Sequence, residues 1–404
     1  MTEAGQAKCD LIRTRSRHEP DQVLPPSFRL TLMPTLRRIL HLAPQNISGV
    51  PITFVRAERQ LGLESRLITL MRDPRGYEED VCLELPFLGS RGVKWIKRAV
   101  SPPARLQISN RALQDVVTPP RWQPHSFSEK ILIALRERSW QARISRAMRE
   151  IDFWNFDLYQ LEGGLEFFRD GRTVRELKRR GKKIVCLYTG SDLRTRGLIP
   201  AIDRCADLRL TLEYDHLALD ATLTHILFPF EFEKYPSPAP RPQHEHLVIG
   251  HAPTNRAAKG SAEIIAAVQS LANDFPVRLE LIEGLPHAEA MRRKARCDIF
   301  IDNLGELGYG VNAIEGLALG LCTCTSLMPE FLARYPDHPF VEINFQNLKE
   351  QLQRLCAQPD LRLSFAHAGR SWAERNHGAT AVVRHVHAAV YRASKNAELQ
   401  SRQQ

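Results

Sequence analysis

The stretch from Asp298 to Ser326 constrains the fold of this chain more than any other part of the sequence. It runs DIFIDNLGELGYGVNAIEGLALGLCTCTS. The short apolar run between Asp298 and Asp302 has the pattern of a buried parallel strand, and LCTCTS has the pattern of the next one. Between them lie a glycine-rich loop and an apolar helical segment that begins at Val311 and ends at Gly320. This order of elements predicts a parallel sheet covered by helices.

The glycine-rich loop is suited to holding an anion. Gly305, Gly308 and Gly310 let backbone N–H groups approach a ligand, and the start of the following helix adds partial positive charge. Glu315 lies one turn into the helix, where a carboxylate disfavours phosphate and is better suited to sugar hydroxyls. The stretch alone leaves an alternative open, an ordinary strand–helix–strand unit whose glycines only shape a turn.

Length and charge limit the kinds of protein that this chain can be. Its 404 residues are enough for two α/β domains, and an apolar content of 43% supports a sizeable core. The formal charge of +10 and the isoelectric point of about 9.3 favour anionic partners, namely nucleic acid, acidic lipid headgroups or phosphorylated substrates. Eight cysteines without a CxxC pair predict free thiols in a reducing cytoplasm, and no apolar run reaches the ~18 residues of a spanning helix.

The N-terminal part of the chain begins with a tail and then enters an α/β pattern. Residues 1–35 are Arg-rich and contain several prolines, which predicts a loose tail, and they lack the apolar centre of a secretory signal. Gly49 lies in a turn after the first predicted strand. The predicted elements are a strand at 38–42, a helix at 51–62 and a strand at 65–70. Such a unit places a ligand crevice at the carboxyl ends of its strands.

Residues 72–150 carry two basic segments whose role the sequence leaves open. In one, Trp95 and neighbouring apolar residues alternate with Arg and Lys. The other is an Arg-rich amphipathic helix predicted at 129–149. Both are compatible with a solvated basic face and with contact to an anionic membrane surface. Nucleic acid is a weaker candidate, because no strand combines aromatic and basic residues in the way that nucleic-acid binding requires.

The rest of the first half continues the alternation of strands and helices. Asp192 belongs to a Gly190-Ser191-Asp192 turn at the end of a buried strand. Its side chain either caps a short helix or faces the ligand cleft. The predicted strands span 151–160, 183–188, 207–212 and 224–228, and a helix spans 171–181.

A proline-rich linker, residues 230–246, separates the two halves of the chain. In the second half, a polar loop at 251–260 contains Arg256 and Lys259 and no acidic residue that would cancel their charge. Two cations at the end of a strand suit an anionic ligand, with a solvated basic loop as the alternative. The predicted strands span 247–250, 277–282, 298–302, 321–326 and 340–343. The predicted helices span 261–273, 287–296 and 311–319, and further helices follow the last strand to about residue 395.

These residues together resemble the GT-B-fold glycosyltransferases, in particular the retaining group 1 family that uses nucleotide-sugar donors. The resemblance covers roughly residues 37–395 and is strongest in 247–326. It implies an α/β fold of the GT-B type, in which two Rossmann-like domains have parallel sheets facing a cleft. The implied segments are a basic flexible tail (1–35), an N-terminal acceptor domain (36–229), a linker (230–246), a C-terminal nucleotide-sugar domain (247–375) and a C-terminal helix (376–404) that packs back on the N-terminal domain.

The resemblance also implies a set of donor-site residues. Lys259 matches the lysine that neutralises the donor diphosphate, with Arg256 as a displaced arginine. Glu315 matches the glutamate that binds the donor ribose. Glu306 lies one position from the place of the family's catalytic glutamate, which here holds Leu307. The backbone of the loop and of the helix start is assigned to the diphosphate; these residues are Gly308, Tyr309, Gly310, Val311 and Asn312.

Two positions in the N-terminal domain complete the implied site. Gly49 corresponds to a glycine-rich loop near the donor, and Asp192 corresponds to an aspartate near the reaction centre. Thr189 stands where the family has a histidine.

The implied function is transfer of a sugar from a nucleotide-sugar donor to a glycan or lipid-linked acceptor with retention, in assembly of the cell envelope or an exopolysaccharide. Neither a metal nor another cofactor is expected. The expected location is the cytoplasm, with the inner face of the membrane as a candidate contact and no nucleic-acid partner. The departures at Leu307 and Thr189 leave open a catalytically silent GT-B binding or scaffold protein. A nucleic-acid-binding protein and a nucleotide-sugar epimerase are the remaining alternatives.

Overall fold

The computed structural model describes residues 36–88, 119–190, 192–235, 245–304 and 308–403. Several sequence predictions fall wholly or partly on residues outside these ranges. They concern the tail at 1–35, the basic segment around Trp95, most of the linker at 230–246, the loop glycine Gly305, and the catalytic role of Glu306.

The N-terminal domain is built on a parallel sheet whose described strands number seven. These are β1 (Arg38–Ala43), β2 (Glu64–Thr69), β3 (Val81–Cys82), β4 (Leu158–Glu162), β5 (Lys183–Tyr188), β6 (Leu208–Thr211) and β7 (Thr224–His225). The spatial order is β3-β2-β1-β4-β5-β6-β7. The helices are α1 (Val50–Gln60), α2 (Phe127–Glu150), α3 (Arg172–Arg179), α4 (Pro200–Asp203) and α5 (His216–Leu219). Every residue of β1 after Arg38 is buried, as expected of a strand covered on both faces.

The C-terminal domain has a second parallel sheet, with five strands among the described residues. These are β8 (Leu247–His251), β9 (Val277–Leu281), β10 (Ile299–Ile301), β11 (Cys322–Thr325) and β12 (Val341–Glu342), in the order β12-β11-β10-β8-β9. The helices are α6 (Arg256–Lys259), α7 (Ser261–Leu271), α8 (His287–Lys294), α9 (Val311–Ala318), α10 (Pro329–Arg334), α11 (Leu348–Ala357), α12 (Pro359–His377) and α13 (Ala379–Gln403). The two strands and the helix predicted for 298–326 are thereby confirmed, while residues 305–307 of the loop between them lie outside the described ranges.

Each sheet has one point at which the chain order reverses. In the first sheet β1 lies between β2 and β4, and in the second sheet β8 lies between β9 and β10. The connections that leave β1 and β4, or β8 and β10, therefore run to opposite faces of their sheet. A crevice opens at the carboxyl ends of these strands, and ligands of doubly wound α/β folds bind there.

Helix α2 is covered only along its second half. Trp140, Ile144 and Ala147 are buried on one face, and the indole N–H of Trp140 donates to the Pro86 carbonyl at 2.8 Å. In the first half, Phe127 and Leu135 are 77% and 60% exposed. The amphipathic helix predicted from the sequence is confirmed, but its first two turns present apolar side chains to solvent.

The crossover between the two domains pairs with the end of helix α12. The backbone N–H of Phe230 donates to the His377 carbonyl at 2.7 Å, and that of Ala379 donates to the Phe230 carbonyl at 3.1 Å. Helix α13 then lies on α1, where Nε2 of His387 is 3.1 Å from Oε1 of Glu58. The last helix therefore ties the C-terminal end of the chain to the N-terminal domain.

The strand predicted at 151–160 is wrong in its first half. Asp152 adopts a left-handed conformation with φ 56°, residues Phe153–Asn155 form a 3₁₀ turn, and β4 begins only at Leu158. Phe153 and Phe156 are buried in the core of the domain. These aromatic residues pack in the core from a turn and do not belong to a strand. The spacing of apolar residues in the sequence does not distinguish these two cases.

The polar loop predicted at 251–260 contains a short helix. Asn255 accepts hydrogen bonds from the N–H groups of Ala257 and Ala258 through its side chain, and helix α6 runs from there to Lys259. Gly260 follows in a left-handed conformation with φ 66° and separates α6 from α7. An N-cap asparagine and a C-terminal glycine account for this one-turn helix.

Candidate active site

Lys259 lies at the switch point of the second sheet and is buried there. Helix α6 and the turn at Gly260 direct its side chain toward the end of β10, where Nζ is 3.1 Å from Oδ1 of Asp302. A Cβ atom placed on Gly310 would lie 3.6 Å from this Nζ, so the start of α9 approaches the lysine closely. The two predicted anion-binding features, a lysine after β8 and glycines before α9, therefore meet at one place.

Asp302 occupies the centre of this arrangement. Its Oδ2 accepts a hydrogen bond from the backbone N–H of Gly310 at 2.8 Å, while Oδ1 faces Lys259. Burial alone would raise the pKa of Asp302, but the Lys259 charge and the Gly310 amide lower it below its usual value. The carboxylate is therefore ionised. It occupies the two hydrogen-bond donors, the Lys259 ammonium and the Gly310 N–H, that an anionic ligand would use.

The expectation that no acid cancels the two cations of the β8–α7 loop is wrong. Besides the Asp302–Lys259 pair, Arg256 donates through Nε to Glu283 at 2.8 Å. Arg256 is also largely exposed, so it lies at the rim of the site and not in its interior. Neither acid is near these cations in the sequence, because Asp302 and Glu283 follow other strands of the sheet.

Glu315 is buried one turn into α9 and is already paired. Its carboxylate contacts Nζ of Lys294 and lies 2.7 Å from Nε2 of His287. Burial would raise its pKa, whereas the Lys294 charge and the His287 hydrogen bond lower the pKa to about 2. Asn312 accepts from Lys294 through Oδ1 and donates through Nδ2 to the Ala252 carbonyl at 3.0 Å. Val311 forms the first turn of the helix.

The side chain of Tyr309 packs among aromatic residues and a histidine. Its hydroxyl lies 2.9 Å from Nε2 of His377, and its ring packs on Phe228, Phe331 and Phe340. The tyrosine therefore anchors the glycine loop to the crossover between the domains. Gly308 next to it accepts a hydrogen bond from the Asn303 amide at 3.0 Å and lines a cavity of about 20 Å³.

Gly49 reaches the same region from the N-terminal domain. It has φ +70°, and a Cβ atom there would lie 3.1 Å from the Tyr77 ring. The Tyr77 ring in turn lies 5.5 Å, between centroids, from the ring of His287, which bonds to Glu315. Gly49 and Glu315 are thus connected across the cleft through Tyr77 and His287.

Asp192 follows β5 and is partly exposed. Its Oδ2 accepts a hydrogen bond from the Thr189 N–H at 3.0 Å, and its Oδ1 lies 3.5 Å from Arg196. Burial raises the pKa of Asp192, and Arg196 only partly opposes this. The residue thus closes the turn after β5 and also presents a carboxyl group at the carboxyl edge of the first sheet.

Sequence reasoning missed four residues of this region: Asp302, Lys294, His287 and Tyr77. Asp302 carries a usable signal, because an acid directly after a buried strand stands at the edge where ligands bind. The other three carry none, since Lys294 and His287 lie in an ordinary basic helix and Tyr77 lies in an irregular segment.

Two further properties concern the described residues only. No group of three or more His, Cys, Asp or Glu side chains among them is arranged to hold a metal ion. None of the described helices combines the length and the apolar character that a membrane span requires.

The sequence matches no protein-family model and no curated protein. Solved structures do match over almost the whole chain. Sucrose-phosphate synthase from Thermosynechococcus elongatus has a TM-score of 0.56 at 12% identity, covering 89% of this chain and 100% of that chain. HepE from Anabaena, solved with UDP-glucose, has a TM-score of 0.52 at 10% identity, covering 88% and 99%. The N-terminal domain of Candida albicans trehalose-6-phosphate phosphatase has a TM-score of 0.53 at 10% identity, covering 88% and 97%.

The chain therefore has the GT-B fold, with two Rossmann-like domains built on parallel sheets, as the sequence predicted. One of the similar structures is a domain of a phosphatase, so the fold does not by itself decide the activity.

Proposed function

We propose that the protein transfers a sugar from a nucleotide-sugar donor to an acceptor. The observation that carries this proposal is the meeting of Lys259 with the Gly310 amide and the start of α9 at the switch point of the second sheet. An ammonium group, a backbone N–H and a helix start together suit a diphosphate. The similar structures support glycosyl transfer in general, since they include a sucrose-phosphate synthase and a protein solved with UDP-glucose.

In the proposed donor complex the diphosphate takes the place of the Asp302 carboxylate beside Lys259. The backbone from Gly308 to Asn312 supplies further donors, and Arg256 attracts the donor from the rim. Glu315 accepts hydrogen bonds from the ribose once its partners in α8 shift, and Gly49 leaves room for the donor beside Tyr77. Asp192 and Glu306 are the proposed carboxylates at the reaction centre.

The proposed reaction proceeds with retention. The bond between the sugar C1 and the diphosphate oxygen breaks, and a bond from the acceptor oxygen to C1 forms on the same face. The acceptor's proton passes to the departing phosphate oxygen, so the atoms balance without another reactant. Negative charge grows on the diphosphate, and Lys259 and the helix start stabilise it. We propose that no divalent metal is needed; an inverted product, or loss of turnover in excess chelator, would contradict this mechanism.

The first test is donor binding, which requires no knowledge of the acceptor. A panel of nucleotide sugars is screened by thermal shift, because a ligand of the native state stabilises it. We expect Lys259→Ala to weaken the affinity for the stabilising donor by roughly tenfold or more, as measured by calorimetry. Lys349→Ala, an exposed lysine on α11, is the matched control and should bind as the wild type does. Equal donor affinity in Lys259→Ala and the wild type would refute the site.

We further propose a lipid-linked or glycan acceptor, a role in envelope or exopolysaccharide assembly, and a cytoplasmic location at an anionic membrane surface. The support is the first half of α2, where Phe127, Ile131, Leu132 and Leu135 are exposed on a helix rich in Arg. Sedimentation with anionic vesicles tests this, with neutral vesicles as the control. The membrane proposal fails if Phe127→Ser with Leu135→Ser sediments as the wild type does.

A catalytically silent GT-B protein is the second candidate. Two observations favour it. Asp302 already accepts hydrogen bonds from Lys259 and from the Gly310 N–H, and Glu315 is already paired with Lys294. Release of free nucleoside diphosphate from a bound nucleotide sugar, in the presence of candidate acceptors, separates the two. Binding without any release would favour the silent protein.

A further inference from the structure

Three arginines lie on neighbouring segments beside the carboxyl edge of the first sheet, outside the proposed donor site. The backbone N–H of Arg169 donates to Glu137, the residue after Arg136, and the N–H of Trp122 donates to the Leu198 carbonyl, two residues after Arg196. Arg136 lies on α2, Arg169 in the connection from β4 to α3, and Arg196 in the turn that follows β5. Arg169 stands over the ring of Trp122 at 5.3 Å from its centroid. These three residues, named here the arginine cluster, come from three separate segments and have no sequence motif in common.

Several guanidinium N–H groups of the arginine cluster are buried and unpaired. Arg196 donates to the Gly163 carbonyl through Nη2, yet its Nε and Nη1 have no hydrogen-bond partner in the described structure. The same holds for Nη1 of Arg169 and for Nε of Arg136. A solvated basic face would keep such groups in water. Buried donors without a partner are costly, so their persistence calls for a ligand that satisfies them.

The nearby carboxylates make few direct contacts with the guanidinium groups of the cluster. Glu137 accepts from the backbone N–H of Arg169 at 2.7 Å and from Nη2 of Arg172 at 2.9 Å, so its carboxylate serves a fourth arginine. Asp192 faces Arg196 at 3.5 Å, a weak contact. Burial, with the like charges of Arg196 and Arg136, lowers the pKa of Arg169 to about 10. Among the described residues, Arg136 and Arg169 form no ion pair, and Arg196 forms only the long contact with Asp192.

A phosphoryl group fits this environment better than a carboxylate. It is a dianion with three acceptor oxygens that point in different directions, and guanidinium groups recognise such oxygens with fixed geometry. The four unpaired nitrogens carry six N–H bonds between them, and a single carboxylate, with about four acceptor positions, would leave some of these bonds without an acceptor. Arg196 also contacts Asp192, the proposed reaction-centre residue, so a ligand bound at the cluster would lie next to the proposed site of transfer.

We propose that Arg136, Arg169 and Arg196 bind a phosphoryl group carried by the acceptor. The assignment to the acceptor rests on the proposed glycosyl transfer, whereas the binding of phosphate itself does not. The cluster lies on the N-terminal domain and the donor lysine on the C-terminal domain, so the two anions occupy separate sites.

Calorimetric titration of the full chain with inorganic phosphate tests the site directly. Ionic strength is held constant, and sodium acetate serves as the carboxylate arm. We expect Arg169→Gln and Arg196→Gln each to raise the dissociation constant of phosphate by about tenfold or more, and acetate to bind more weakly than phosphate. Arg175→Gln, an exposed arginine on α3, should leave the dissociation constant unchanged.

Urea unfolding with and without phosphate is a second measurement, and it distinguishes loss of phosphate binding from failure to fold. Without phosphate, Arg169→Gln should unfold at the same or a higher urea concentration than the wild type, because the substitution removes a repelled charge. In phosphate the wild type should gain stability and Arg169→Gln should not. A variant that merely fails to fold would be destabilised in both buffers, and this result would overturn the proposal.

The remaining outcomes separate the two proposals. If phosphate binding is lost in Lys259→Gln but kept in Arg169→Gln, the phosphate occupies the donor site and the arginine cluster is not a site. Absence of phosphate binding to the wild type also overturns the inference. If the cluster binds phosphate but no nucleotide sugar binds at Lys259, the anion site stands and its assignment to an acceptor falls.

Discussion

Asp302 is the residue whose chemistry most directly controls the proposed donor site. Its buried carboxylate holds both Lys259 and the Gly310 amide, the donors that a diphosphate would need. Replacing it by asparagine keeps an acceptor oxygen but removes the negative charge that opposes an anion. We expect Asp302→Asn to bind inorganic pyrophosphate about tenfold more tightly, as measured by calorimetry. The same variant should lose roughly 1–3 kcal/mol of stability, since a buried lysine loses its counter-ion.

The acid limb of the stability curve gives an independent check of Asp302. Its folded pKa is lowered, so its contribution is present above its unfolded pKa of about 4 and is lost as the pH falls through the folded value. Asp302→Asn should therefore lose less stability than the wild type below about pH 4. Weaker pyrophosphate binding in this variant would instead show that the carboxylate organises the site for its ligand.

At the scale of single residues, the sequence singled out candidate site residues but not the residues that pair with them. Lys259, Gly310 and Glu315 stand out because each follows a strand or begins a helix. Their acidic and basic partners, Asp302 and Lys294, lie 43 and 21 residues away along the chain. Such pairs form only when the strands of the sheet and the helices beside them come together in the fold, and a linear pattern does not encode that arrangement.

At the scale of elements, a buried polar network joins β1, β4, α1 and α13. Nε2 of His41 lies 2.9 Å from Glu58, Nδ1 lies 3.5 Å from Glu162, and His387 reaches Glu58 from α13. Burial would lower the pKa of His41, but the two carboxylates raise it to about 9. For Glu58, burial is outweighed by His41 and His387, which lower the pKa to about 2. The network therefore carries opposite charges at neutral pH.

The signs of these shifts define the pH dependence of stability. The contribution of His41 is complete below its unfolded pKa of about 6.5 and is lost as the pH rises through about 9, which corresponds to roughly 3 kcal/mol. The contribution of Glu58 is present above about pH 4 and is lost only as the pH falls toward 2. We expect the urea midpoint of the wild type to fall between pH 6.5 and 9 and that of His41→Gln to change much less.

The control for this measurement is His367→Gln, which alters an exposed histidine on α12. It should keep the alkaline loss of stability that the wild type shows. If His41→Gln also keeps that loss, the buried network does not set the pH dependence, and another group titrates in this range.

Elements were predicted well where apolar residues follow a regular period, as in β1, α7 and α9. The prediction failed at Phe153 and Phe156, which lie in or next to a turn and pack into the core. It also failed at α6, where a side-chain cap stabilises a one-turn helix. Both failures arise from contacts that override local pattern, namely burial in one case and the Asn255 cap in the other.

At the scale of the whole molecule, the proposed function requires the two domains to close on the donor. In the described structure the segment after β2 crosses the cleft, where the Tyr77 ring meets His287 of α8 and covers Gly49. Burial, with the nearby charge of Glu315, raises the pKa of Tyr77 to about 12, so its hydroxyl stays neutral. Tyr77 is therefore an uncharged contact between the halves, placed directly over the proposed donor site.

Removing this contact should favour an open arrangement of the domains. We expect Tyr77→Ala to increase the radius of gyration measured by small-angle X-ray scattering and to weaken donor binding by roughly tenfold. Tyr77→Phe keeps the ring and loses only the hydroxyl, so it should resemble the wild type in both measurements. Because the ring packs between domains and not within a core, the urea midpoint of each variant should change little. Equal scattering and equal donor affinity for Tyr77→Ala and Tyr77→Phe would mean that the cleft is held by the crossover and α13 alone.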